Sequence, residues 1–185
     1  MKIAITGGIG AGKSYICQQL GKYGIKVYDC DEAAKRLMRE SAEIRNELIS
    51  LVGSEVYQGN ELRKGILAEF LLQSEANKQK INAIVHPAVA ADFMASDYQW
   101  LESAILFESG FDRRVNFDYV IGVTAPEAIR VRRIMERDNI SSNKALEWIH
   151  RQMPQQCIEE KSDYIIVNDG IQDTDIQIKN ILNRL

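Results

Sequence analysis

Cysteine is scarce, and what there is does not pair. Cys17, Cys30 and Cys157 are odd in number, far apart and free of any CxxC spacing. This excludes a disulfide framework or a zinc knuckle and points to a reducing compartment. Only three prolines occur, at Pro87, Pro126 and Pro154, and no Pro/Gly/Ser-rich linker, internal repeat or low-complexity tract divides the chain. Long apolar runs are missing too: none approaches the roughly 20 residues of a membrane span. The opening MKIAITGGIG is too short in apolar residues for a signal-peptide core. A cytoplasmic protein without membrane association is expected. Excess positive charge is also lacking, since 23 Lys+Arg face 26 Asp+Glu for a net charge of -3. A dedicated nucleic-acid binder carries a basic footprint, so no nucleic-acid partner is expected, and any polyanion must be gripped locally.

What is present suits an ordinary globular chain. Its 185 residues are 45% hydrophobic and 26% charged. A chain of this length buries roughly 70% of its unfolded surface, enough for a core without a structural metal. Short apolar strand candidates recur at Lys2–Thr6, Lys26–Asp29, Leu101–Leu106, Tyr119–Thr124 and Tyr164–Asn168, with helical patterns between them. That alternation predicts a parallel sheet covered by helices on both faces. The stretch from Asp31 to Tyr98 exceeds one crossover helix. Periodic apolar positions at Ile44, Leu48 and Leu51, at Ile66 and Phe70, and at Ile81, Ile84 and Val85 predict at least three helices there. A second helical excursion runs from Pro126 to about Met153, with a turn at Asp138-Asn139, and Asp173–Leu185 closes the chain as an amphipathic helix.

Directly after the first strand stands Gly7-Gly8-Ile9-Gly10-Ala11-Gly12-Lys13-Ser14, a full match to G-x-x-x-x-G-K-[ST] with a helix behind it. Glycines let such a loop turn its N–H groups inward on phosphate oxygens, and the helix N-terminus adds its positive end. Lys13 supplies a mobile charge for the β- and γ-phosphates and Ser14 a hydroxyl for Mg²⁺. A GTPase would add D-x-x-G and N-K-x-D, and neither occurs. A small phosphotransferase remains.

A phosphorylated hydroxyl needs an acceptor for its proton, and Tyr28-Asp29-Cys30-Asp31 puts two carboxylates at the carboxyl edge of the second strand. One could take that proton while the other, or the same one through water, organises Mg²⁺, or one of them could cap a helix starting near Glu32, as Asp31 could by position. Arg130, Arg133 and Arg137 share one helix face, with Arg132 beside them. They suit a phosphate clamp or a solvated face paired with Glu127 and Glu136. Asp92–Asp112 reverses this balance, with five acidic residues and no Lys or Arg. There Glu108, at the end of a strand, suits either a substrate contact or a backbone cap. His86-Pro87 sits between two helical patterns, as a structural group or a site residue.

Taken in order, several segments resemble one family, the dephospho-coenzyme A kinases. They are Thr6–Ser14, Asp29–Asp31, Leu62-Arg63, His86-Pro87, Leu106–Gly110, Arg133–Asp138, Gln152-Met153-Pro154 and Lys161–Gly170. The resemblance implies an α/β P-loop kinase, a three-layer sandwich whose five-stranded parallel sheet has order 2-3-1-4-5. It implies a core of residues 1–30, 99–125 and 155–185, a helical acceptor-binding insertion at about 31–98 and a helical lid at about 126–153. The activity implied is transfer from ATP, with Mg²⁺, to the ribose 3'-hydroxyl of dephospho-coenzyme A. Asp31 would be the base, with Lys13 and Arg137 also catalytic. ATP would lie on Gly8, Ile9, Gly10, Ala11, Gly12, Lys13, Ser14 and Tyr15, with Arg133 and Asn168. Asp29, Arg63, His86 and Glu108 would serve the acceptor, and Ser14 the metal. Two positions depart from the family: Ala104 stands where a proline is usual, and Trp148 where an arginine often occurs. Without the resemblance, another small P-loop kinase or a nucleotide-binding regulator that transfers nothing would remain open.

Overall fold

Four consecutive buried residues, Ile3–Thr6, make the first strand, β1. Burial of both faces is the mark of a central strand in a helix-covered parallel sheet. The computed structural model describes residues 1–185. After β1 come α1 (Lys13–Gly21), β2 (Val27–Asp29), α2 (Cys30–Glu40) and α3 (Ala42–Val52), then a small antiparallel hairpin of β3 (Tyr57–Gln58) and β4 (Glu61–Leu62). Next are α4 (Lys64–Gln73), α5 (Glu75–Ala95), β5 (Trp100–Glu102) and β6 (Tyr119–Thr124). The chain ends with α6 (Glu127–Asp138), α7 (Ser142–His150), α8 (Gln155–Glu160), β7 (Tyr164–Val167) and α9 (Thr174–Leu182). No helix is long and apolar enough to cross a membrane.

The five long-range strands form one parallel sheet in the order β2-β5-β1-β6-β7. Counted along the sheet-forming strands alone, this is the expected 2-3-1-4-5. The strand order reverses beside β1, and the crevice outside the carboxyl ends at such a point is where α/β sheets take ligands. Ile3, Ile5, Ile121, Val123 and Ile166 from the sheet pack with Ile16 and Leu20 of α1 and Ile178 and Ile181 of α9, all nearly or fully buried. Helix α9 begins where Asp173 accepts hydrogen bonds from the Asp175 and Ile176 N–H groups.

Contacts divide the chain into two units, residues 1–28 with 98–185, and residues 29–97. The second has its own core, including Ile44, Leu48, Val56, Leu67, Ile81, Val85 and Phe93. Ser41 and Ser74 cap α3 and α5, and Tyr57 Oη donates to the Met38 carbonyl at 2.6 Å.

Two expectations are corrected. His86-Pro87 does not separate helices but lies inside α5. Ile81, Val85, Val89 and Phe93, four residues apart, make one buried stripe that runs straight through Pro87. An interior proline costs about 3 kcal/mol or more. Four buried side chains at roughly 1.5–3 kcal/mol each outweigh it. The strand expected at Leu101–Leu106 ends at Glu102. β5 pairs with β1 only as far as Ile5↔Glu102, and the Ser103 N–H then bonds the Ile5 carbonyl; β1 itself leaves the sheet after Thr6. With no ladder to extend, Ala104–Phe107 turns, and Leu106 is buried in the turn.

Candidate functional site

The loop between β1 and α1 is defined by what holds it from outside. Gly12 precedes α1 at φ 95°, and no side chain caps this helix. The first N–H groups of a helix have no partner within it, so the α1 N-terminus offers donors and its positive end to an anion. A side chain at Gly12 would run into the Asn168 amide, and one at Gly10 would bring Cβ within 2.8 Å of the Arg130 carbonyl. Glycine is required there by close packing as well as by backbone angle.

Three polar side chains grip the loop. Asn168, only 7% exposed, donates from Nδ2 to the Ala11 carbonyl at 3.0 Å. Arg133 donates to the Gly10 and Ala11 carbonyls, both at 3.2 Å, and to the Asn168 carbonyl at 3.0 Å. Arg130, 4% exposed, donates from Nε to the Ile9 carbonyl at 2.8 Å, and its guanidinium lies against Gly8. Burial pulls the Arg130 guanidinium below its ordinary pKa, with Glu127 opposing the shift. This arginine is therefore neither on a solvated face nor paired chiefly with Glu127, which instead meets His150 at 3.2 Å.

Beside the loop opens a cavity of about 570 Å³ lined by Gly12, Tyr15, Arg133 and Asn168 and, after β7, by Gly170, Gln172, Asp173 and Thr174. That volume falls within the roughly 300–1,000 Å³ of small-molecule sites. Its wall is shaped by the Asn168-Asp169-Gly170 turn, where Asp169 Oδ1 accepts from the Ile171 and Gln172 N–H groups at 2.9 and 2.8 Å. Those backbone donors, Gln172 first, hold the Asp169 carboxyl below the usual range.

Lys13 extends over the loop, donating from Nζ to the Gly7 carbonyl at 2.9 Å and lying 3.8 Å from Glu102. Glu102, at the carboxyl end of β5, carries no signal in the sequence, where the apolar run predicts a strand that continues to Leu106. Glu108 lies six residues beyond the strand's end, in the turn segment, where Oε1 accepts from the Met153 N–H at 3.0 Å. Gln152, to which the sequence assigns no role, reaches the loop, and its Oε1 accepts from the Ile9 N–H at 2.6 Å. Arg137 is exposed and turns to its neighbour Asp138 at 2.7 Å. Asn139 takes a left-handed conformation, φ 52°, in the turn between α6 and α7.

In the other unit, Asp29 caps α2, accepting from the Asp31 and Glu32 N–H groups at 2.9 and 3.0 Å. The expected alternative, a cap by Asp31 on a helix from Glu32, is corrected: the helix starts at Cys30, and Asp31 is an exposed residue of its first turn. The two carboxylates thus differ in use, Asp29 committed to backbone donors and Asp31 facing solvent. Arg63 precedes α4 and meets Glu55 at 3.5 Å. His86 is half-buried in α5.

A family model described as dephospho-CoA kinase matches residues 1–173. A dephospho-CoA kinase of Bacteroides fragilis is 40% identical over 177 residues, covering 92% of this chain and 85% of that protein. Among solved structures, a Thermus thermophilus protein superposes with a TM-score of 0.83 at 29% identity, over 100% of this chain and 97% of its own. Dephospho-CoA kinase from Campylobacter jejuni shares the fold, with a TM-score of 0.70 at 22% identity over 100% and 97% of the two chains. The glycine loop, its buried grip and the matched 173 residues agree: this chain belongs to the dephospho-CoA kinase family.

Proposed function

We propose that this protein transfers the γ-phosphoryl group of ATP to the ribose 3'-hydroxyl of dephospho-coenzyme A, releasing coenzyme A and ADP. The observation that carries the nucleotide half is the uncapped α1 N-terminus behind a glycine loop pinned by Arg133 and Asn168, next to the 570 Å³ cavity. Phosphates lie on the Gly8–Tyr15 loop, with the Ile9 N–H given to Gln152 rather than to them, and the adenosine occupies the cavity beside Asn168. Lys13 exchanges the Gly7 carbonyl for phosphate oxygens, which carry more negative charge. Arg137 leaves Asp138 to neutralise the transferring group, because an exposed ion pair holds it only weakly.

No group of three or more His, Cys, Asp or Glu could hold a metal by itself. This donor set fits Mg²⁺, which is typically bound through one or two protein oxygens plus substrate phosphates and water. Ser14 would hold it, and Glu102 stands close by, 3.8 Å from Lys13. When bound, Mg²⁺ neutralises charge on the phosphates. Asp31 accepts the proton of the attacking hydroxyl, while Asp29 keeps the helix start in place. Residues 31–98 take the acceptor, with Arg63, His86 and Glu108 in contact with it, and residues 126–153 act as the lid. The reaction belongs in the cytoplasm and needs small-molecule partners only.

Incubating the purified protein with MgATP and dephospho-coenzyme A tests this directly. Coenzyme A and ADP should appear in equal amounts, and a panel of other hydroxyl acceptors should give little. Failure to form coenzyme A overturns the proposal. Slow ADP release indifferent to every acceptor would indicate a nucleotide-binding regulator instead.

A further inference from the structure

The Gln152-Met153-Pro154 segment has no part in the chemistry so far, yet it ends on the phosphate loop. Every part of Ile9 is engaged by the region around α6 and α7. Its N–H donates to Gln152 Oε1 at 2.6 Å, and its carbonyl accepts from Arg130 Nε at 2.8 Å. Its side chain packs on a cluster of Ile134, Ala145 and Ile149, where Trp148 also packs. Gln152 is itself tethered, because the next residue, Met153, donates its N–H to Glu108 at 3.0 Å.

We infer that Gln152 is a positioning residue for ATP, clamping the Ile9 turn of the loop in its phosphate-ready shape from the end of the α7 segment. This rests on Gly7–Ser14 being the ATP phosphate site. A glycine-rich loop has many conformations to lose when it closes on phosphate. Holding it beforehand moves that cost from binding to folding. Trp148 fits the same device, because its ring widens the apolar cluster on which Ile9 packs. The clamp touches the loop's backbone, so its loss should be felt by ATP and not by the acceptor.

The test uses the full-length protein and fluorescent-nucleotide competition without acceptor, followed by steady-state kinetics. Gln152→Ala should weaken ATP binding about tenfold, the scale of one well-placed hydrogen bond. The KM for ATP should rise more than kcat falls, and the KM for dephospho-coenzyme A should stay within about twofold, as expected when ground-state binding is lost. Ile9→Ala should also weaken ATP. The double variant should lose less than the product of the two, because both act on one peptide unit. If Ile9→Ala is not soluble, Ile9→Val keeps the cycle measurable. ATP affinity within twofold of wild type in Gln152→Ala, or losses that multiply in full, would overturn the clamp. A wild-type protein that binds ATP but makes no coenzyme A would instead overturn the proposed function and leave the clamp standing.

Discussion

The unit formed by residues 1–28 and 98–185 and the unit of residues 29–97 handle polar groups in opposite ways. In the first, the important partners are buried or nearly so: Asn168, Arg130 and Arg133 bond to backbone carbonyls of the glycine loop. In the second, the residues proposed for the base and the acceptor are exposed or half-buried, with Asp31 open to solvent, Arg63 in a loose pair with Glu55 and His86 half-buried. A buried polar group must be satisfied in a fixed geometry, so it makes a rigid cradle. Exposed charges hold no geometry of their own and can rearrange around a substrate. Burial thus builds a rigid glycine loop and exposure leaves rearrangeable charges, which under the proposed function serve the phosphates and the acceptor respectively.

The largest effect should come from breaking the rigid side at its tightest point. Gly12→Ala places a Cβ against the buried Asn168 amide at a backbone angle of φ 95°. A left-handed alanine costs about 1–2 kcal/mol. Overpacking a buried site adds roughly 1–3 kcal/mol. Urea denaturation should show a loss of about 2–5 kcal/mol, and ATP binding should be abolished. Near-normal stability would mean that Asn168 yields and that the cradle is less rigid than its bonds suggest.

On the adaptable side, Asp31→Asn should leave the fold and ATP affinity intact while turnover falls about 100-fold or more, the scale for losing a general base. Single-turnover kinetics with saturating ATP and acceptor would check this. Normal turnover would move the base elsewhere.

Much of the rigid side was legible in the residues because its signals are local. Gly7–Ser14 lies in eight consecutive positions, and the strands expected at Lys2–Thr6, Tyr119–Thr124 and Tyr164–Asn168 agree with those observed to within one residue at each end. What was not legible depended on distant partners. Glu102 became visible only once the register with β1 ended β5 there. Gln152 bonds a residue 143 positions away, and no spacing announces that. Arg130 looked like Arg133 and Arg137 on a helical wheel, but only packing shows which of the three is buried. The helix through Pro87 hid for the same reason, since its continuation is decided by a stripe packed against other segments.

The smallest and most discriminating change separates the two aspartates of Asp29-Cys30-Asp31. Asp29 spends Oδ1 on two N–H groups of the first α2 turn. Replacing a good cap by alanine costs about 1 kcal/mol. Asparagine is nearly as good a cap as aspartate, so it keeps the acceptor oxygen while removing the charge. Asp29→Ala should therefore lower stability by about 1 kcal/mol by urea denaturation and reduce turnover only as far as the turn carrying Asp31 loosens, whereas Asp29→Asn should restore both. If Asp29→Asn instead loses turnover as heavily as Asp31→Asn with stability unchanged, the Asp29 charge acts in the reaction itself. The division of labour between a capping and a proton-accepting carboxylate would then collapse into a shared one.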